Sequence, residues 1–179
     1  MKILKYLFLL ALLSLVALSV FVATQKGDFT IERSKVINSP RNTVYNYIND
    51  FRNFEDFESS AVEDPTMRMS FPSKTIGNGA TFSWEGNEGK GNAITLKTKE
   101  GESIQQKMNF DGTQADVNWT FKDTLAGKTK VTWKAKGTMS FLFKIYTSIN
   151  GGSDNVIGTM YEKSLVNIDK NLDKILEFK

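Results

Sequence analysis

The segment FSWEGNEGKGNAITL, from Phe82 to Leu96, decides between two classes of fold. Its three clustered glycines and Lys90 are typical of loops that bind phosphate groups. A Walker loop reads G-x-x-x-x-G-K-S/T, but here Trp84 stands at the first glycine and Gly91 at the final serine or threonine. The order of the glycines also differs from the dinucleotide-binding pattern G-x-G-x-x-G. Because alternating apolar residues flank the glycines, the segment predicts a β-hairpin.

Apolar and polar residues continue to alternate on both sides of this hairpin. The alternating segments are FTIERSKVI, TMRMSF, GATFSWEG, NAITLKTK, ESIQQKMNF, ADVNWTF and KVTWKAKGTM, and turn residues separate most of them. Strands of this kind form an antiparallel sheet with one apolar and one solvated face. We expect Phe82, Trp84, Ile94 and Leu96 to contribute to the apolar face, and a row of lysines that includes Lys134 to lie on the solvated face.

The C-terminal segment has the periodicity of a long amphipathic helix. Apolar residues recur at helical spacing from Val156 to Leu176, after an NGG turn where Ser153 or Asp154 can cap the helix. Gly158 lowers the helix propensity, and a close approach of helix and sheet would account for it. A sheet with one apolar face must be covered, and this helix is the only predicted element long enough to cover it.

Shorter helical segments complete the predicted domain. Pro40 suits the first turn of a helix, and Phe51, Phe54 and Phe57 predict a second short helix with aromatic side chains directed at the core. Residues 140–149 fit either a loop with aromatic plugs or an additional helix. The sequence therefore predicts an α+β fold in which a curved antiparallel sheet surrounds a long C-terminal helix. A cavity is expected between them, closed at one end by the short helices.

The N-terminal residues predict the cellular localisation of the protein. Residues 6–23 contain no charge and follow Lys2 and Lys5. As a helix they span roughly 27 Å, close to the thickness of the hydrocarbon core of a bilayer. They are either a signal peptide, cleaved near Ala17–Ser19, or a retained anchor, and the full length of the run favours the anchor. We therefore predict an anchor or signal peptide over residues 1–26 and a folded domain over residues 27–179.

The charge distribution predicts on which side of the membrane this domain lies. Because the two lysines precede the apolar run, the positive-inside rule places the remaining chain outside the cytoplasm. The domain is then tethered to the membrane, or secreted or periplasmic if the leader is cleaved. Lys2 and Lys5 are two of the 23 basic residues, and the others nearly balance the 20 acidic residues. This balance leaves no electrostatic footprint for nucleic acid.

The composition excludes several kinds of chemistry. The chain has no histidine and no cysteine, which removes histidine- and cysteine-based nucleophile systems and the usual ligands of zinc, copper and haem. We predict no metal and no cofactor. The acidic side chains between the predicted short helices lack the spacing of a calcium-binding loop and are interpreted as a solvated segment. They are Asp50, Glu55, Asp56, Glu58, Glu63 and Asp64.

Four stretches of the chain resemble a known superfamily. They are IERSKVINSPRNTVYNYINDFRNFEDF, IGNGATFSWEGNEGKGNAITL, GKTKVTWKAKG and YEKSLVNIDKNLDKI. With the leading apolar helix, they resemble bacterial membrane-anchored members of the START-like, Bet v 1-like helix-grip superfamily, also described as SRPBCC or polyketide cyclase/dehydrase proteins. The resemblance covers nearly the whole chain and implies a helix-grip fold with an interior cavity. In this superfamily Phe54 and Phe57 are commonly replaced by tryptophan.

The resemblance implies several activities, because the superfamily includes lipid carriers, hormone receptors, allergens and cyclases. We predict a membrane-anchored, non-catalytic binding module for a hydrophobic small molecule or lipid. The alternatives are a polyketide cyclase or dehydratase that uses Glu85 or Tyr161 as an acid–base group, and an interaction module for an envelope protein.

The predicted pocket consists of inward-facing apolar residues with a few polar candidates. Glu85 belongs to it only if a β-bulge near Gly86 redirects its side chain. The apolar candidates are Phe82, Trp84, Met108, Trp119, Trp133, Met139, Met160 and Tyr161, and the polar candidates are Glu85, Gln106 and Arg68.

Overall fold

A computed structural model describes residues 2–24, 26–87 and 89–177. These residues form, in chain order, one helix, one strand, three short helices, six consecutive strands and two helices. The helices are α1 (Lys2–Thr24), α2 (Arg41–Asn49), α3 (Phe54–Phe57), α4 (Ser59–Glu63), α5 (Phe141–Ile149) and α6 (Thr159–Glu177). The strands are β1 (Asp28–Ile37), β2 (Arg68–Ser70), β3 (Thr81–Gly86), β4 (Gly89–Lys99), β5 (Ser103–Phe110), β6 (Thr113–Asp123) and β7 (Thr129–Thr138).

All seven strands form one antiparallel sheet. Their order is β1-β7-β6-β5-β4-β3-β2, so that strands β2 to β7 are a meander and β1 pairs with β7 at one edge. The solvated face carries the predicted lysines: Lys134 is exposed, and its ammonium group lies 2.9 Å from the Glu32 carboxylate on the neighbouring strand. The predicted combination of a curved antiparallel sheet, a long C-terminal helix and one N-terminal apolar helix is confirmed.

The predicted hairpin is confirmed, but the expected position of two of its side chains is wrong. Ile94 and Leu96 are 37% and 48% exposed. The turn pairs Gly86 with Gly89, which places Phe82 opposite Ala93 and Trp84 opposite Gly91. Because side chains alternate between the two faces, this register turns Ala93 inward and the two larger residues outward.

Gly91, opposite Trp84, is required for steric reasons. A Cβ atom on Gly91 would lie 2.3 Å from Cζ2 of Trp84 and 2.4 Å from the carbonyl oxygen of Asn109. The glycine therefore lets the indole of Trp84 lie flat across strand β4.

Helix α6 packs against the β1 edge of the sheet and against α3 and α4. Its apolar face buries Leu165, Ile168 and Leu172. At the β1 edge the contact is ionic, because Lys35 pairs with Asp169 at 3.2 Å. The position of the helix is thus fixed by an apolar face and by charges along its flank.

A π-helical turn at Asp154–Gly158 precedes α6. Arg33 of β1 donates hydrogen bonds to the carboxylates of both Asp154 and Glu162. A Cβ atom on Gly158 would lie 2.1 Å from Nη2 of Arg33. The predicted close approach at this glycine is confirmed, and the group it accommodates is the guanidinium of Arg33.

The short helices close one end of the space between sheet and α6. Phe51, Phe54 and Phe57 are buried, as their spacing predicted. The rings of Phe54 and Phe82 are 4.7 Å apart, and those of Phe57 and Trp119 are 6.3 Å apart. These contacts join the short helices to the inner face of the sheet.

Two further helices lie at the other end of the domain. Helix α1 is apolar and long enough either to span a membrane or to be a signal peptide. Residues 141–149, for which the sequence left a loop or a helix open, form helix α5. Ser140 caps it, since its Oγ accepts a hydrogen bond from the backbone N–H of Phe143 at 3.4 Å.

Candidate functional site

Three of the predicted pocket residues form an aromatic stack at the centre of the interior. The ring of Trp133 lies between those of Trp119 and Tyr161, with centroid distances of 4.1 Å and 3.7 Å. All three side chains are buried. The strands β6 and β7 place the two tryptophans opposite each other, and α6 supplies the tyrosine.

A second aromatic group covers the neighbouring part of the inner face. Phe82 and Trp84 stack with a centroid distance of 5.1 Å, and Phe54 contacts both rings. These residues come from β3 and α3, so the group links the sheet to the short helices.

The three predicted methionines are only partly buried. Met108, Met139 and Met160 pack against the same apolar core. Methionine side chains are unbranched and adapt to irregular spaces. The eight apolar candidates therefore lie on one continuous interior surface between the sheet and α6, and a ligand pocket at this surface stays a prediction.

Of the three polar candidates, only Gln106 lies in the interior. Its Oε1 accepts a hydrogen bond from Nε1 of Trp119 at 3.1 Å, and its Nε2 donates one to Oγ1 of Thr95 at 3.4 Å. Both ends of the amide are therefore engaged in holding the tryptophan in place.

The other two polar candidates lie outside the interior. Glu85 and Arg68 are exposed and pair across strands β3 and β2. The register of β3 continues without a bulge through Gly86, so the condition for an inward Glu85 is not met. The sequence hypothesis that Glu85 serves as the interior acid is thus wrong.

The structure places a different carboxylate in the interior. Glu58 is only 5% exposed, which contradicts the prediction of a solvated side chain at this position. Its Oε2 accepts a hydrogen bond from the backbone N–H of Ala61 at 2.9 Å, and Ser60 also donates to this carboxylate. Burial raises the pKa of Glu58, although hydrogen bonds from Ala61 and Ser60 oppose the shift.

A signal for this burial was present in the sequence. Glu58 follows Phe57 and lies four positions after Phe54, and residues four apart share one side of a helix. Glu58 therefore lies on the same side of the helix as Phe54 and Phe57, which faces the core. Glu55 and Asp56 fall on the other side of α3 and are exposed, as predicted.

Glu58 and the indole of Trp133 are two interior polar groups close to the Tyr161 side chain. Burial raises the pKa of the Tyr161 hydroxyl, and the nearby Glu58 raises it further. The indole Nε1 of Trp133 is buried and lacks a hydrogen-bond partner among the described residues. Together they offer a hydrogen-bond donor, an acceptor and a titratable carboxyl within an aromatic environment.

The acidic side chains and the solvated face of the sheet offer no alternative interior site among the described residues. No group of three or more acidic side chains in residues 2–24, 26–87 and 89–177 is arranged to hold a metal ion. An open groove of about 610 Å³ crosses the solvated face of the sheet. Its lining is about equally polar and apolar, and it includes Met108 and Met139 of the predicted pocket. The exposed residues of the lining include Asn92, Lys107, Gln114, Asp116 and Lys136.

With this arrangement the chain has a helix-grip fold, and comparison with known proteins agrees. No protein-family model matches the chain, and no curated protein sequence matches it. Among solved structures, it is similar to the Zhui aromatase/cyclase from a Streptomyces species, with a TM-score of 0.63 and 8% identity over 83% of this chain and 96% of that one.

Two further solved structures are similar. A protein from Chromobacterium violaceum matches with a TM-score of 0.59 and 12% identity, over 79% of this chain and 94% of that one. DynU16, from the dynemicin biosynthetic locus, matches with a TM-score of 0.56 and 13% identity, and the match covers 80% of this chain but 47% of that one. At such low identities the likeness establishes the fold.

Proposed function

We propose that the protein is a membrane-anchored binding module that takes a hydrophobic small molecule or lipid between the sheet and α6, without catalysis. The observation that carries the proposal is a buried polar atom in an aromatic interior, Nε1 of Trp133, which has no hydrogen-bond partner among the described residues. Sites for small molecules are mainly apolar with a few placed polar groups. A ligand with one polar group on an apolar body would accept a hydrogen bond from this N–H.

The partly buried methionines support this proposal. Interior side chains contact one another in the structure, so a ligand must displace some of them. Met108 and Met160 are suited to move, because an unbranched thioether repacks at low cost. The aromatic stack around Trp133 then remains as a fixed wall.

Binding can be tested with oleyl alcohol, which carries a single hydroxyl on an apolar chain. The full chain in phosphatidylcholine nanodiscs is incubated with this probe and analysed by native mass spectrometry. We expect a protein–probe complex, and we expect Trp133→Phe to retain several-fold less probe, because phenylalanine keeps a stacked ring but lacks the N–H.

The matched control is Trp119→Phe. This change removes an N–H that already has a partner and leaves the buried Oε1 of Gln106 unpaired, so it costs about 1–3 kcal/mol of stability but should lower probe retention less than Trp133→Phe does. A wild-type chain that carries neither the probe nor any co-purified molecule contradicts the proposal. Equal loss of probe in the two variants contradicts the role of Trp133.

A second candidate function, cyclase- or dehydratase-like catalysis, is favoured by the burial of Glu58 beside Tyr161. A carboxyl with a raised pKa can donate a proton to a carbonyl oxygen that later leaves as water. In such a cyclisation the Glu58 carboxyl gives its proton to the carbonyl oxygen, and the resulting carboxylate takes the proton of the α-carbon. The α-carbon then forms a C–C bond to the carbonyl carbon as the C=O π bond opens to a hydroxyl, and loss of this hydroxyl with a second α-proton releases water.

The test for catalysis is the conversion of a linear poly-β-ketothioester, followed as loss of water by mass spectrometry. If the protein is an enzyme, the wild type and Glu85→Gln form the product, whereas Glu58→Gln does not. If no variant forms the product, the catalytic proposal fails while the binding proposal stands.

The anchor and its topology belong to the same proposal. The apolar helix α1, with Lys2 and Lys5 at its N-terminal end, supports a single membrane span with the domain outside the cytoplasm. If the leader is cleaved, the same domain is secreted or periplasmic.

A further inference from the structure

Helix α5 carries a row of large apolar side chains that the described part of the protein does not cover. Phe141, Leu142, Tyr146 and Ile149 are exposed, and Leu142 is 75% exposed. Leu142, Tyr146 and Ile149 are spaced by four and three positions, which aligns side chains along one side of a helix. A contiguous apolar surface of this kind marks an interaction site.

The opposite side of α5 is firmly attached to the domain. The ring of Phe143 packs on Phe110 of β5 with a centroid distance of 5.5 Å, and Oγ1 of Thr147 donates a hydrogen bond to the Met139 sulfur at 3.4 Å. At the start of the helix, the N–H of Ser140 donates to Oγ1 of Thr113 at 3.0 Å. The exposed row therefore has a fixed direction relative to the sheet.

The exposed row lies beside the end of the apolar helix α1. The two helices are in contact, and Val22, near the end of α1, is fully buried, whereas the large apolar side chains before it are exposed. Directly after α1, the carbonyl of Gly27 accepts a hydrogen bond from the N–H of Met139 at 2.9 Å. The apolar surface of α5 thus continues that of α1 at the point where α1 joins the domain.

We propose that α5 is an interfacial helix whose exposed row lies in the surface of the lipid bilayer, next to the point where α1 leaves it. The proposal rests on the membrane-anchor role of α1 proposed above. An apolar helix face of this kind sinks to the boundary between headgroups and acyl chains. Tyr146 suits that depth, since tyrosine is enriched at membrane interfaces.

This placement sets the orientation of the whole domain. A single flexible tether leaves a domain free to turn, whereas a second contact through α5 fixes one face against the membrane. Met139 and Phe110, which contact α5 from the interior side, then lie behind this helix, about one helix diameter (~10 Å) from the lipid.

The absence of cysteine from the chain allows the proposal to be tested with single cysteine labels on the full-length protein. The protein is reconstituted in vesicles of phosphatidylcholine and phosphatidylglycerol, with a fluorescent label at Leu142→Cys. Lipid-borne nitroxide and aqueous iodide serve as the two quenchers. We expect lipid-borne quenching of the Leu142 label to exceed iodide quenching several-fold.

Leu125→Cys is the matched control. Leu125 is also an exposed leucine, at 92% exposure, but it lies in the β6–β7 turn, at the end of β7 remote from α5. Its label should be quenched mainly by iodide. A third label, at Leu12→Cys, reports whether α1 is in the bilayer.

The outcomes separate the inference from the anchor on which it depends. Lipid quenching at Leu12 with iodide quenching at Leu142 overturns the role of α5 and leaves the anchor intact. Iodide quenching at Leu12 overturns both. A Leu142 label shielded from both quenchers, in a protein of doubled mass, shows that a second copy covers α5 and also overturns the proposal.

Discussion

The interior between the sheet and α6 and the surface formed by α1 and α5 are both rich in large apolar side chains, yet they differ in what surrounds them. In the interior, rings such as Trp119, Trp133 and Tyr161 contact each other at stacking distances. On α1 and α5 the side chains are exposed. Composition therefore does not distinguish the protein core from the apolar surface that we propose contacts lipid, whereas the exposed fraction of the side chains does.

The two regions also differ in their content of charged residues. The interior contains a carboxyl, Glu58, whereas residues 6–23 of α1 contain no charged residue. A protein interior can supply hydrogen bonds to a buried acid, as Ala61 does here, but the centre of a bilayer supplies none. The differences in exposure and in charge lead to three predictions, of which the first has the largest expected effect.

The strongest test removes one large side chain from each region. Trp133→Ala should lower the free energy of unfolding by about 3–5 kcal/mol, because it leaves a cavity in the aromatic stack. Leu142→Ala should change it by less than about 0.5 kcal/mol, because that side chain is exposed. Urea titrations of the full chain in detergent, followed by circular dichroism, measure both. If both variants lose a similar amount of unfolding free energy, the interior and the surface formed by α1 and α5 do not differ in burial as described.

A second test adds one methyl group to each region. Gly91→Ala should cost about 1–3 kcal/mol, because the new Cβ atom meets Trp84 and a backbone carbonyl at under 3 Å. Gly27→Ala serves as the control near α1, since its Cβ atom would lie 3.8 Å from Cγ2 of Thr138, an ordinary contact distance. The same titration applies. If Gly91→Ala is as stable as the wild type, the register assigned to the β3–β4 hairpin is contradicted.

A third test concerns the pH dependence that Glu58 gives to the interior. The pKa of Glu58 is raised in the folded state, so the folded protein binds this proton more tightly than the unfolded chain does. The stabilisation from this proton is fully present below the pKa of the unfolded chain, about 4.3. That contribution is lost as the pH rises through the folded pKa, by up to about 1.4 kcal/mol for each pH unit between the two values.

The measurement is the free energy of unfolding as a function of pH for three proteins. Glu58→Gln, which stays neutral, should lack the decline that the wild type shows above pH 4.3 or so. Glu85→Gln changes an exposed carboxylate and should retain the decline. An unchanged pH profile in Glu58→Gln would show that this carboxyl is already paired or solvated.

The sequence predicted the fold well because periodicity reports burial directly. Alternation defined the strands, and the helical spacing from Val156 to Leu176 defined the covering helix. It misplaced Ile94 and Leu96, because the face that a strand presents depends on one residue of register in the preceding turn. Nothing local to NAITL shows that Gly86 pairs with Gly89.

The candidate site was harder to predict than the fold. The aromatic and methionine side chains were found from their inward parity, which the sheet obeys from Phe82 to Trp133. Glu58 was missed because its charge suggested solvent, while its spacing from Phe54 indicated the core. The unpartnered N–H of Trp133 was beyond prediction, since it depends on which neighbours reach the indole.

The π-helical turn at Asp154–Gly158 determines the rotational phase of the last helix. Asp154 and Glu162 are eight positions apart, which in a regular helix turns them about 80° from each other. The wider turn uses roughly one additional residue, and both carboxylates return to the side of Arg33. Deleting one residue within 155–158 would convert the turn into regular α-helix, with the two carboxylates seven positions apart and about 20° from each other. Arg33 would then keep both carboxylates, whereas inserting one further residue would rotate everything before the turn by about 100° and move Asp154 away from Arg33.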